Sequence, residues 1–262
     1  MSFGAPLDLR SSRILVTNDD GYQAHGIKIL EKVARGLSSD VWVVAPETEQ
    51  SAVSHSLTIR RPLRIRKVRD KCYAVDGTPT DCVMLAVQQI LKDEKKPDLC
   101  LSGINGGGNL GEDVTYSGTI AAAMEATLLG VPSMALSQHI NHPHPTHWAT
   151  AEANAAKVIR QLARIGWPKN VLMNVNFPAV TARAVRGVQA APQGRHKIGD
   201  DLHEHHDPRG VPYYWIGSMR QEDAEQTGTD IAAVRAGWIS VTPLFLDLTH
   251  QSMLRKLRKK LT

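Results

Sequence analysis

Sulfur and aromatic side chains are scarce in this chain. Cysteine occurs three times, and phenylalanine, tryptophan and tyrosine together make up 5% of the residues. Cys72, Cys82 and Cys100 are too few and too scattered for a disulfide framework, and they lack the paired spacing of a zinc site. Isolated, hydrophobe-flanked cysteines suit a reducing compartment. Long apolar runs are also missing. No eighteen-residue membrane stretch occurs and the first ten residues hold no signal-like apolar segment, so a cytoplasmic protein is expected. Internal repeats and low-complexity linkers are absent too.

What is present is an ordinary globular composition of 262 residues, 42% hydrophobic and 22% charged. That length suits one large α/β domain that buries roughly 73% of the unfolded chain's surface. The formal charge is +5. Much of the excess sits at residues 60–71 and 255–260, without the interleaved aromatics on which single strands stack. Nucleic acid is therefore not the expected partner. A basic balance equally steers small anionic substrates.

Apolar runs bounded by turn residues, each followed by helical spacing, read as βα units in series. Arg13–Thr17 (RILVT), 41–45, 98–102, 133–136, 171–175 and 238–242 are expected strands. Residues 27–37, 83–91, 119–129 and 151–162 are expected helices, the second opened by Thr78 and Pro79, the third stopped by Gly130 and Pro132. Residues 57–68 alternate apolar and basic side chains, as a partly exposed strand or hairpin would. The fold expected is α/β, a Rossmann-like, mostly parallel sheet with helices on both faces. Residues 1–138 form its core and 139–262 complete it, with a polar, His- and Gly-rich extended arm or hairpin at 193–210.

In such sheets ligands bind beyond the carboxyl ends of strands, and three loops there carry chemistry. The first, Asn18-Asp19-Asp20-Gly21, places two carboxylates side by side. Their repulsion is relieved by a hard divalent cation, or the motif is a polar Asx-type turn; the motif alone leaves both open. The second, residues 46–56, offers hydroxyls such as Ser51, either neutral metal ligands or loop caps. The third, residues 102–119, contains six glycines and ends in Ser117-Gly118-Thr119 at a helix start. Glycines let backbone N–H groups approach an anion, and the helix N-terminus favours phosphate. The pattern Gly106 to Gly111 satisfies G-x-G-x-x-G, but Glu112 and Asp113 follow it and the helix begins too late for a dinucleotide fingerprint. No Walker-type lysine follows either.

The segments ILVTNDDGYQAHGI, VVAPETEQSAVSHSLT, GTPTDCV, SGINGGGNLGEDVTYSGTIAAAMEA and GWISVTPLFLDLT, in this order over nearly the whole chain, resemble the stationary-phase survival protein SurE family. That resemblance implies a 5′-nucleotidase or broader nucleoside-monophosphate phosphatase, in some members acting on 3′-nucleotides or short polyphosphate. It implies one divalent cation per subunit, Mg2+ or Mn2+, held by Asp19, Asp20, Ser51 and Asn105, with Asp19 and Asp20 catalytic. Asn109, Ser117, Gly118 and Thr119 would contact the substrate phosphate. A swapped C-terminal element would build a homodimer or homotetramer. Phe245 stands where the family often has histidine, so no acid or base role is carried over there.

The histidine groups (139, 142, 144 and 147; 203, 205 and 206) have loop spacings, and HEHH is not H-E-x-x-H, so solvated loops are expected. The amphipathic tail 253–261 is expected to pack on a neighbouring subunit. A haloacid-dehalogenase phosphatase requires D-x-D, which the adjacent pair Asp19-Asp20 does not supply. A non-catalytic nucleotide-binding regulator remains the alternative from another class.

Overall fold

The structure is a computed structural model that describes residues 4–141, 145–198, 202–217, 220–222 and 227–261. A nine-stranded sheet forms its centre. In chain order its strands are β1 (Arg13–Thr17), β2 (Asp40–Pro46), β3 (Ile65–Arg69), β4 (Cys72–Val75), β5 (Leu99–Gly106), β6 (Ser133–Gln138), β7 (Val171–Phe177), β8 (Val188–Ala190) and, after four arm strands, β13 (Ile239–Phe245). Their spatial order is β3-β4-β2-β1-β5-β6-β7-β13-β8. Strands β4, β2, β1, β5, β6 and β7 run parallel, whereas β3 and β13 pair antiparallel with β4 and β7. The expected α/β architecture with a mostly parallel sheet is what the chain adopts.

The continuous apolar strands follow from burial on both faces. Ile14 and Val16 of β1 point into one core with α1 (His25–Arg35) and α4 (Trp148–Ile165). Leu15 points into the other, with α2 (Pro79–Leu85) and α3 (Gly118–Leu128). All three side chains are fully buried, each contributing about 1.5–3 kcal/mol. Helix α2 begins with a capping box between Thr78 and Asp81 and Pro79 in its first turn, as the sequence signals. It continues as a π-helical turn, Ala86–Ile90. Helix α1 lies close on β5 at Gly26, where a Cβ would stand 1.8 Å from the Ile104 carbonyl oxygen. That approach holds the carboxyl end of β5, and with it Asn105, against α1.

Two expectations are corrected. The expected exposed strand or hairpin is found only over 65–68 of residues 57–68, in β3, which pairs antiparallel with β4. Pro62 lacks an N–H for a ladder, and the Thr58 and Arg64 N–H groups are taken by the side chains of Asp81 and Asp76. The histidines at 203, 205 and 206 lie on a strand, not in a loop. The arm comprises β9 (His196–Ile198), β10 (Leu202–His206), β11 (Pro212–Ile216) and β12 (Arg220–Glu222), with β10 and β11 an antiparallel hairpin and β9 paired to β12. His142 and His144 lie outside the described residues. After the arm come α5 (Asp230–Arg235), β13 and α6 (Gln251–Arg258), whose side chains are all at least partly exposed. The three cysteines are free and buried. No helix among the described residues is long and apolar enough to cross a membrane.

Candidate active site

Three of the parallel strands, β1, β2 and β5, deliver the informative loops to one rim. β1 ends at Thr17, and Asn18 closes the turn by donating from Nδ2 to the Gly21 carbonyl at 2.9 Å. Asp19 is 5% exposed. Its Oδ1 accepts from the Thr119 hydroxyl at 2.5 Å, and its carbonyl accepts from the Gln50 N–H at 2.8 Å. The loop after β5 reaches the second aspartate, because the Gly106 N–H donates to the Asp20 carboxylate. One aspartate is thus tied to the start of α3 and the other to the glycine-rich loop.

Asp19 and Asp20 form no ion pair with a cationic side chain among the described residues. Burial pushes the Asp19 carboxyl from its ordinary value of 3.8 up to about 6; neighbouring Asp20 adds to the rise, while the Thr119 hydrogen bond opposes it. Burial also raises Asp20, against the Gly106 N–H, with Glu49 adding its charge. Glu49 is a third acidic group at this rim. It lies inside the loop read from the sequence, yet only its placement beside Asp20 gives it a role. The Asn18 Oδ1 is buried without a protein partner.

An acidic pair that is desolvated and lacks a cationic partner fits a hard divalent ion bound by oxygen ligands. Asn105 suits the same set: its Nδ2 donates to the Gly107 carbonyl at 2.8 Å, which leaves Oδ1 as the acceptor end. Ser51 is exposed, and its hydroxyl donates to Glu49 Oε1 at 2.7 Å, not to either aspartate. Among the described residues no group of three or more His, Cys, Asp or Glu side chains is arranged to hold a metal. A set of two carboxylates with neutral oxygens falls outside that description and within the chemistry of Mg2+ and Mn2+.

The linkage has a definite sign. A folded-state pKa above the unfolded value favours the protonated fold, so Asp19 contributes stability below about pH 3.8 that is lost as pH rises through about 6. Above that window its ionisation costs the metal-free fold about 3 kcal/mol. Asp19→Asn is therefore expected to be more stable than wild type in EDTA at pH 7.5, by up to about 3 kcal/mol, with the gap closing toward pH 4. Urea unfolding at the two pH values checks this; a variant less stable at both contradicts it.

The phosphate candidates divide. Ser117 is the N-cap of α3, its hydroxyl accepting from the Ile120 N–H at 3.1 Å. Gly118 and Thr119 form the first turn, as the dense glycines and hydroxyls suggest. A Cβ on Gly118 would stand 2.8 Å from Asp19 Cβ, so only glycine lets the helix start touch the acidic turn. Thr119 directs both its hydroxyl and its N–H at Asp19. Asn109 is only 5% exposed and sits in a buried network instead: its Nδ2 donates to Ser137 Oγ at 2.7 Å, and its carbonyl accepts from Asn174 and Asn176. A latch that no local pattern signals holds the second loop to α3: His55 Nε2 lies 3.0 Å from Glu125 Oε2, seventy residues away in sequence.

Of the histidines, His139 adjoins the glycine loop, its Nδ1 lying 2.8 Å from where a Gly108 Cβ would be. His147 precedes α4, and His203, His205 and His206 stand exposed on β10. The glycines at 106–111 lead into a 3₁₀ turn, Gly111–Thr115, with the helix starting only at Gly118, which is not the dinucleotide arrangement.

Fold and rim together define a doubly wound α/β protein with a buried acidic pair set against a helix N-terminus. The family model for survival protein SurE matches residues 14–200. The 5′-nucleotidase SurE of Paramagnetospirillum magneticum is 62% identical over 257 residues, 98% of each chain. That of Rhodospirillum rubrum is 52% identical, covering 94% of this chain and 95% of its own. The crystal structure of the SurE protein from Aquifex aeolicus superposes with a TM-score of 0.83 at 39% identity, over 95% of this chain and 100% of that one. The chain belongs to the SurE family.

Proposed function

We propose that this protein is a 5′-nucleotidase, a phosphoric monoester hydrolase acting on nucleoside monophosphates with the help of one divalent cation, Mg2+ or Mn2+. The full-length similarity to proteins named 5′-nucleotidase supports the activity. The observation that carries the metal and site assignment is the desolvated pair Asp19 and Asp20, without a cationic partner among the described residues, at the start of α3.

Asp19, Asp20 and Asn105 would hold the cation, with Ser51 joining on release from Glu49. When bound, the cation supplies charge for the phosphoryl oxygens and acidifies a coordinated water. The chain's own groups do the rest. Thr119 orients Asp19 through its hydroxyl. Gly118 and Ser117 present the α3 N-terminus to the phosphate, where N–H groups and the helix dipole favour an anion. Asn109 acts from beneath, bracing the glycine loop through Ser137, Asn174 and Asn176. Asp19 or Asp20 accepts the proton of the attacking water. The adjacent aspartates do not supply the D-x-D spacing of phosphatases that form a phospho-aspartate, which favours direct attack by water; trapping a phospho-aspartate in a single turnover overturns that route.

Manganese-dependent release of phosphate from AMP, abolished by EDTA, is the expected result in a colorimetric assay across 5′- and 3′-nucleotides and tripolyphosphate. Nucleotide binding without turnover contradicts it and favours a regulator. Free, buried thiols support a cytoplasmic location, with the Cys100 thiol pushed up to about 12 by burial.

Assembly into a homodimer or homotetramer through residues 139–262 is part of the same reading. Tyr214, Trp215 and Ile216 on the arm are 60%, 66% and 73% exposed, and helix α6 turns Met253 and Leu257 outward. Sedimentation equilibrium should give a multiple of the chain mass; a monomer at micromolar concentration contradicts it.

A further inference from the structure

Three buried titratable side chains that the proposed hydrolysis leaves unused come together where the arm leaves the core. After β5 the chain makes the 3₁₀ turn Gly111–Thr115 before α3 begins. In that turn the Asp113 carbonyl accepts from the Tyr116 N–H at 3.0 Å and from the Ser117 N–H at 3.1 Å. Its backbone therefore sets the position of the α3 N-cap. Its side chain meets the arm. Oδ2 lies 3.0 Å from Nε2 of His196, the first residue of β9, and the two side chains are 4% and 2% exposed. The pair is an electrostatic contact, not an aligned hydrogen bond. The His196 N–H also donates to the Glu112 carboxylate.

The third group is Asp230, fully buried at the start of α5. Its Oδ2 accepts from the Gly111 N–H at 3.0 Å and its Oδ1 from the Gly194 N–H at 2.7 Å, so one carboxylate ties the turn to the root of the arm. Gln193 adds a bond from Nε2 to the Gly111 carbonyl at 2.8 Å. Gly111 stands at φ +52°, and a Cβ there would come within 3.3 Å of both the Gly194 carbonyl oxygen and His196 Cδ2. These backbone bonds already bring the two segments together. A carboxylate facing an imidazole is costlier to bury than an apolar pair of the same volume. Its presence calls for a role that packing does not fill.

We infer, resting on the nucleotidase reading, that His196 and Asp113 are positioning residues for the reaction, a clamp between arm and turn that holds the start of α3 in register with Asp19. Gly118 and Thr119 touch Asp19 there, and Ser117 caps the helix end presented to the phosphate. The clamp acts through the turn. With the clamp broken, a loosened helix start still meets the phosphate of a bound substrate. Its N–H groups no longer align with the cation as charge develops in the transition state. Turnover suffers more than binding.

The test measures kcat and KM for AMP with Mn2+ in three variants: His196→Phe, which keeps a ring without nitrogens; Asp113→Asn, which keeps its shape without the charge; and the double variant. Each single variant should lower kcat by about tenfold to 10²-fold, as a displacement on the order of 1 Å does, while KM changes less than about threefold. Mn2+ binding should match wild type. The double variant should be no slower than the slower single one, because both changes break one contact. Wild-type kcat in the folded variants, a rise in KM that outweighs the fall in kcat, or losses that multiply in the double variant overturns the clamp. Should one single variant fail to fold, the other decides by its kcat and KM. Wild type that releases no phosphate from AMP overturns the nucleotidase reading instead. Amide hydrogen exchange across residues 111–119 then decides the clamp: faster exchange in the variants supports it, and unchanged exchange overturns it.

Discussion

Asp20→Ala is expected to lower manganese-dependent release of phosphate from AMP by about 10³-fold or more, because it removes both a ligand and the charge that a metal-stabilised transition state depends on. Fold loss is not expected to accompany it. Asp20 is a carboxylate whose burial raises its pKa, so its ionised form is a burden on the metal-free protein at neutral pH, and truncation relieves that burden. Activity and stability should therefore separate: urea unfolding in EDTA at pH 7.5 gives a midpoint at or above that of wild type while turnover disappears. A variant that keeps more than a tenth of wild-type turnover contradicts the assignment.

The second large effect is expected from one methyl group. In Gly118→Ala the new Cβ would stand 2.8 Å from Asp19 Cβ, 3.0 Å from Asp19 Oδ2 and 3.2 Å from Pro79 Cγ. Asp19 has little room to yield, since the Thr119 hydroxyl and the Gln50 N–H hold its two ends. Either the carboxylate or the start of α3 must shift, and a displacement on the order of 1 Å at a reacting centre costs about 10² in rate. Alanine's better helix propensity offsets only about 1 kcal/mol of the clash. Kinetics with AMP and Mn2+, beside circular dichroism showing retained helix, checks this; near-wild-type kcat/KM contradicts the tight apposition of turn and helix.

Much of this architecture was legible before any coordinates, for local reasons. RILVT and VWVVA are apolar at every position because both faces of a parallel sheet are covered, and the Thr78–Asp81 capping box and the glycine stop after α3 are written within a few residues. The acidic turn and the Ser117-Gly118-Thr119 start were legible as candidate positions because such loops fall at strand ends, and the fold brings them into contact. What the sequence did not disclose depends on long-range placement. Nothing near Glu125 announces a bond to His55, and nothing near Asn109 announces Ser137, Asn174 and Asn176. Thr119 reads as a phosphate contact by its position at a helix start; folding aims its hydroxyl at Asp19. The alternation across 57–68 reads as one strand, but over 57–64 Pro62 and the side chains of Asp76 and Asp81 claim the backbone, and only 65–68 join β3.

The claim beneath all of this is that the loops after β1 and β5 meet to bind one cation. Titrating metal-stripped protein with Mn2+ and counting the free ion by electron paramagnetic resonance tests it without reference to turnover. The account predicts one tight site per chain in wild type, and its loss in Asp20→Ala. Equal Mn2+ binding by the two proteins, or none by wild type, would contradict it.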